Sequence, residues 1–176
     1  QQHVGRTGRV RAGVVSDHRI PAEHGLQRLR LERRIEPMPR ALGEHIDQVF
    51  AFATSAIRNA ENGPEFVAKV KEDLDIHINV ISGEEEAQLI YEGINLSGSL
   101  NGHPTLMMDI GGGSVEFIIG TSQEVFWKKS FEIGGQRLLD AFHYHDPILP
   151  EEVEKLEAYC QEKLQPLIEA IQKYKP

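Results

Sequence analysis

An α/β fold with a mixed sheet flanked by helices is what this sequence predicts, on three observations. Strand-like and helix-like patterns alternate from Ile46 onward. Two apolar runs meet at three consecutive glycines in LMMDIGGGSVEFIIG, Leu106 to Gly120, which reads as a hairpin and makes the sheet mixed. VFAFAT, Val49 to Thr54, is a continuous apolar run of the kind found in strands covered on both faces.

The elements follow in order. After VFAFAT comes GPEFVAKVKEDL, with Phe66, Val67, Val70 and Leu74 on one helical face and Pro64 near the helix start, where proline is tolerated. IHINVI alternates Ile76, Ile78 and Val80 against His77 and Asn79 and reads as a strand. A helix is predicted from about Gly83 to Ile94, then the two hairpin strands, then a third strand through VFWKKSFEI. GGQRLLDAF is a short helix entered through glycines. The last stretch aligns Val153, Leu156, Cys160, Leu164, Leu167 and Ile171 along one helical face, with Pro166 kinking or dividing it. That face needs a partner, so the C-terminal end reads as cut from something longer, or as the contact of a homodimer.

The 176 residues suffice for one sizeable domain, or one domain and part of another. With 40% hydrophobic residues, no apolar run near the ~20 residues of a bilayer span and no secretory signal pattern, the composition excludes a membrane role. A single cysteine, Cys160, excludes an internal disulfide and a cysteine-based zinc site, and a cytoplasmic location is expected.

The net charge of −8 is unevenly spread. Residues 1–40 carry nine Arg, no Lys and four acids, whereas the remainder carries two Arg, eight Lys and 23 acids. The acidic body argues against nucleic acid as a partner. Residues 1–45 show no period and read as a tail or as sequence foreign to the fold, such as a shifted reading frame, rather than as a basic nucleic-acid arm.

Four stretches carry chemistry. A plain hairpin needs one glycine, so Gly111, Gly112 and Gly113 exceed the needs of a turn that exploits positive φ; they also let backbone N–H groups approach an anion. Asp109 ends the first strand, and Ser114 and Glu116 share a face of the second, a set suited to phosphate plus a hard cation such as Mg²⁺. In ISGEEEAQLIYEG, Ser82 and Glu85 form a capping box and Glu84 suits the helix dipole, which leaves Glu86 on the border of the buried face, a place for a general base with raised pKa. In ATSAIRNAEN, Thr54 or Ser55 caps a helix whose Arg58 pairs with phosphate or with an active-site acid. In SFEIGGQRLLDAF, Gly134 and Gly135 offer a further set of free N–H groups beside Arg137, or form a glycine hinge with a surface arginine. His143, His145 and Trp127 read as structural.

ATSAIRNAEN, ISGEEEAQLIYEG and DIGGGSVE, in this order and spacing, resemble the exopolyphosphatase / guanosine pentaphosphate phosphohydrolase (Ppx/GppA) family, with the likeness running from about Ile46 to the end. The resemblance implies an actin-like ATPase (ribonuclease H-like) fold, with residues 46–120 the remainder of a first domain and 121–176 the start of a second of the same kind. It implies Mg²⁺-dependent hydrolysis of a terminal phosphoanhydride in polyphosphate or guanosine pentaphosphate. By the same resemblance Glu86 orients or activates water, Arg58 contacts phosphate, Asp109 binds metal with Glu116 close by, and Gly111, Gly112, Gly113 and Ser114 hold phosphate. One departure is plain: the family's first phosphate loop, of the type Asp-x-Gly-Ser/Thr-Asn-Ser/Thr, has no counterpart in residues 1–40. Two alternatives stand beside hydrolysis, a phosphate- or alarmone-binding regulatory module and an ATP-using relative among the sugar kinases and chaperone ATPases.

Overall fold

A computed structural model describes residues 49–176; the Arg-rich segment at 1–45 and the expected start at Ile46 lie outside the described residues. The first strand, β1 (Ala51–Ala53), runs parallel to β2 (Ile78–Val80), with Ala51 opposite Ile78 and Ala53 opposite Val80. The crossover between them is a short helix α1 (Ser55–Arg58) followed by α2 (Gly63–Leu74). Pro64 sits in the first turn of α2, Gly63 and Val70 are its buried residues, and Asp75 closes it in the left-handed conformation. VFAFAT is shorter and less covered than expected. Only three of its residues are strand, and Phe50 and Phe52 are 75% and 55% exposed, because β2 is the only strand paired with β1 among the described residues.

Helix α3 (Gly83–Leu96) starts at the anticipated capping box: the Ser82 hydroxyl accepts from Glu85 N–H at 3.2 Å, and the Glu85 carboxylate accepts from Ser82 N–H at 2.8 Å. Its inner face, Ala87 and Tyr91, packs on Met107 and Ile118 of the hairpin, and the Tyr91 hydroxyl donates to Thr121 O at 2.9 Å.

The hairpin strands β3 (Thr105–Ile110) and β4 (Val115–Gly120) pair antiparallel, with Ile110 opposite Val115 and Asp109 opposite Glu116; β5 (Val125–Phe131) pairs antiparallel to β4 on the other side. Parallel and antiparallel pairing therefore both occur, in two sheets among the described residues. The central strand β4 is buried along its whole length, because its alternating side chains serve two cores. Ile118 joins α3, whereas Val115 and Phe117 join Phe131, Ile133 and Leu167. The point near Thr121, where a second domain was expected to begin, lies in the turn between β4 and β5.

Three helices complete the chain: α4 (Gly135–Phe142), α5 (Pro150–Lys163) and α6 (Gln165–Tyr174). Pro166 divides the long amphipathic stretch, standing in the first turn of α6 where its missing N–H costs nothing. The second half of the apolar face is covered by the chain itself: Leu167 is buried against Val115, Phe117, Phe131 and Ile133, with Leu164, Ile171 and Trp127 around them, while Val153, Leu156 and Cys160 of α5 are half-buried. No helix among the described residues is long and apolar enough to cross a membrane.

Candidate functional site

The capping box decides which of three consecutive glutamates is available. Glu85 is engaged by Ser82, Glu84 is exposed, and Glu86, whose N–H closes the first helical turn on Ser82 O, turns inward with its side chain 16% exposed. Arg58 Nη1 donates to Glu86 Oε2 at 3.1 Å and to Ile81 O at 2.9 Å. The Thr54 hydroxyl also bonds the Glu86 carboxyl. Thr54 is the residue before α1, yet its side chain makes no cap bond to that helix, contrary to the capping role expected for it or Ser55. Burial pushes the Glu86 carboxyl above the usual glutamate range; the Arg58 hydrogen bond opposes this, the charge of Glu116 adds to it, and Thr54 opposes it. The other arm of the guanidinium, Arg58 Nη2, is buried with no hydrogen-bond partner among the described residues.

At Gly113 the bend needs glycine for space, not for backbone angle. None of Gly111, Gly112 and Gly113 has positive φ, contrary to the tight-turn explanation. A side chain on Gly113 would overlap the Ser55 hydroxyl, and one on Gly134 would overlap the Gly112 backbone. This close approach engages the N–H groups at the start of α4, which had been expected to be free. Gly135 N–H donates to Gly111 O at 2.9 Å, while Gln136 and Arg137 N–H donate to Gly112 O at 2.9 and 3.1 Å. Arg137 Nε donates to Gly113 O at 3.0 Å. In a planar trans peptide the C=O and N–H point in opposite directions. With the carbonyls of Gly111, Gly112 and Gly113 all turned to α4, the N–H groups of Gly112, Gly113 and Ser114 face the other way, a run of amides of the kind that binds anions. The amides of Gly112 and Gly113 have no acceptor among the described residues.

Asp109 and Glu116 stand opposite each other across the hairpin. Asp109 is exposed, whereas Glu116 is buried and accepts from Ser130 Oγ at 2.6 Å. Among the described residues no three His, Cys, Asp or Glu side chains are grouped to hold a metal. Mg²⁺ is commonly held by one or two carboxylates with water and substrate phosphate supplying the rest, and Asp109 and Glu116 are the two acids that the strand register pairs beside the bend.

Of the expected residues, the structure sets Arg58 on Glu86 and Gly113 on Ser55, which follows Thr54, a partner of Glu86. Thr54, Ser55 and Arg137 were not singled out as site residues from sequence. Arg137 had one usable signal, its place just after a glycine pair; the bond it makes to Gly113, 24 residues away, leaves no local trace.

A model of the Ppx/GppA phosphatase family matches residues 36–175. An exopolyphosphatase from Cytophaga hutchinsonii ATCC 33406 is 45% identical with a TM-score of 0.69, over 72% of this chain and 41% of that one. The PPX-GPPA enzyme of Aquifex aeolicus is 32% identical with a TM-score of 0.56, over 69% of this chain and 40% of that one. The chain spans about two fifths of the length of each structure it matches. Its α/β architecture is that of these actin-like ATPase-fold proteins.

Proposed function

The chain belongs to the Ppx/GppA phosphatase family, and from that premise we propose that its site hydrolyses a terminal phosphoanhydride bond, in inorganic polyphosphate or guanosine pentaphosphate. The observation that carries this reading is Glu86, an inward carboxyl bonded to Arg58 and Thr54 beside an amide-lined bend. Burial gives it the raised proton affinity that suits a base at neutral pH.

In the reaction the outward amides of Gly112, Gly113 and Ser114 bind oxygens of the terminal phosphoryl group. Glu86 orients a water molecule and takes its proton as the water oxygen bonds to phosphorus. The bridging P–O bond breaks, and its electron pair leaves with the shortened phosphate chain. Arg58 keeps the carboxyl aimed, and its unbonded Nη2 is a donor for a phosphoryl oxygen. Mg²⁺, for which Asp109 and Glu116 are the proposed holders, would neutralise charge on the phosphate oxygens. Positioning and charge stabilisation supply most of the rate in phosphoryl transfer, and these residues provide both.

The test is release of orthophosphate from tripolyphosphate with Mg²⁺ present and with it chelated. Glu86→Gln should lower the rate about 10²–10⁴-fold while phosphate-chain binding persists; equal turnover by the variant would refute the assignment. A second reading, binding without turnover, is favoured by one observation, the lack of the family's first phosphate loop in residues 1–40. A missing set of donors commonly costs about 10²–10³ in rate. Mg²⁺-dependent binding of guanosine pentaphosphate without phosphate release would select that reading.

A further inference from the structure

At the end of β5 the exposed carboxylate of Glu132 makes contacts that the proposed chemistry does not require. Its Oε2 accepts from Asn59 Nδ2 at 2.8 Å and from Arg137 Nη2 at 2.5 Å. Its Oε1 stands 3.9 Å from Arg58 Nη2. Asn59 Nδ2 uses its second hydrogen on Ser55 Oγ at 3.1 Å, and Arg137 holds Gly113 O through Nε. Ser55 Oγ fills the space beside Gly113 that a side chain would take. The contacts therefore close into a ring: Gly113, Ser55, Asn59, Glu132, Arg137 and back to Gly113. Every donor in it has a separate hydrogen, and the acceptor oxygen of Glu132 has a lone pair for each bond it takes.

We propose that Glu132 is a positioning residue, the clasp that ties α1 to the glycine bend and so fixes the amides of Gly112, Gly113 and Ser114 relative to Arg58. This rests on the hydrolase reading for its consequence in turnover, and on geometry alone for its effect on the bend. A carboxylate that is half exposed adds little to stability through its ion pairs, since such pairs are screened by water. An ion pair kept only for stability would thus be an odd use of three partners. A ring that joins two sheets at the anion-binding bend has a use in precision, because misplacement by about 1 Å can cost of order 10² in rate.

The experiment uses the full chain. In Glu132→Ala the ¹H–¹⁵N amide signals of Gly112, Gly113 and Ser114 should move, with thermal stability nearly unchanged. With tripolyphosphate and Mg²⁺, kcat should fall about 10- to 10²-fold with KM within about threefold, the pattern of lost transition-state positioning. Glu132→Gln keeps an oxygen for Asn59 and Arg137 and should restore both readouts. Asn59→Ala opens the ring at another bond and should reproduce the amide shifts, so the test does not hang on the folding of one variant. Unmoved bend amides in both ring-opening variants would overturn the proposal. Should the unaltered chain release no phosphate, the hydrolase reading falls, and the amide comparison still decides the role of Glu132.

Discussion

Arg58 and Glu86 act on each other's chemistry as well as on each other's position. Burial raises the proton affinity of the Glu86 carboxyl, and the Arg58 hydrogen bond and charge work against that rise. A base must be ionised to take a proton, so the acid limb of the pH–rate profile should lie above the usual glutamate range. Arg58→Met removes the chief opposing influence and should carry that limb to higher pH, read from kcat/KM against pH or from a ¹³C titration of the Glu86 carboxyl. A limb that stays put or moves down would contradict the assignment. Stability has its own sign. Because the folded carboxyl holds its proton more tightly than the unfolded one, Glu86 favours folding at low pH and opposes it as pH rises from the ordinary glutamate value through the raised one. At this scale the sequence was informative, since the capping box names Glu85 as engaged and leaves Glu86 over. The partners of Thr54 were not readable, because a hydroxyl before a helix has a local use, capping, that the distant carboxyl outbids.

Between elements, the bend after β3 and the start of α4 satisfy one another: carbonyls of the first accept from the amides of the second. Three glycines in a row are legible as more than a hairpin requires, and so are the acids that flank them. The reason for Gly113 is not legible, because it lies in Ser55, a neighbour in space and remote in sequence. Backbone angle is not at stake, so Gly113→Ala tests crowding alone. It should destabilise the protein by about 1–3 kcal/mol, as overpacking does, measured by urea unfolding. Ser55→Ala in the same chain removes the oxygen that the new methyl group meets and should recover part of the loss. A Gly113→Ala chain of unchanged stability would show that the bend is not pressed on α1.

Across the whole molecule, β4 separates two cores, one with α3 and one with α6. The helical period of the last stretch is plain in the sequence, and so is its division at Pro166; what covers it is not, because hydrophobic periodicity names a face and not its neighbour. The same limit applies to VFAFAT, whose apolar run predicts two covered faces where Phe50 and Phe52 are open. Leu167 is 6% exposed within the α6 core, so Leu167→Ala should cost about 2–5 kcal/mol and lower the urea midpoint with little change in slope. Ile168→Ala, at 37% exposure on the neighbouring face, should cost much less; equal losses would place the core elsewhere. The seating of α4 on the bend has a mechanical outcome. Each peptide unit there offers hydrogen to one side and oxygen to the other, and an oxyanion caught by the hydrogens polarises the oxygens. Capture of phosphate would therefore stiffen the seam to α4, whose Leu138 rests on the α6 core and whose Phe142 meets Tyr159 of α5, so that α5 and α6 feel a ligand they never touch.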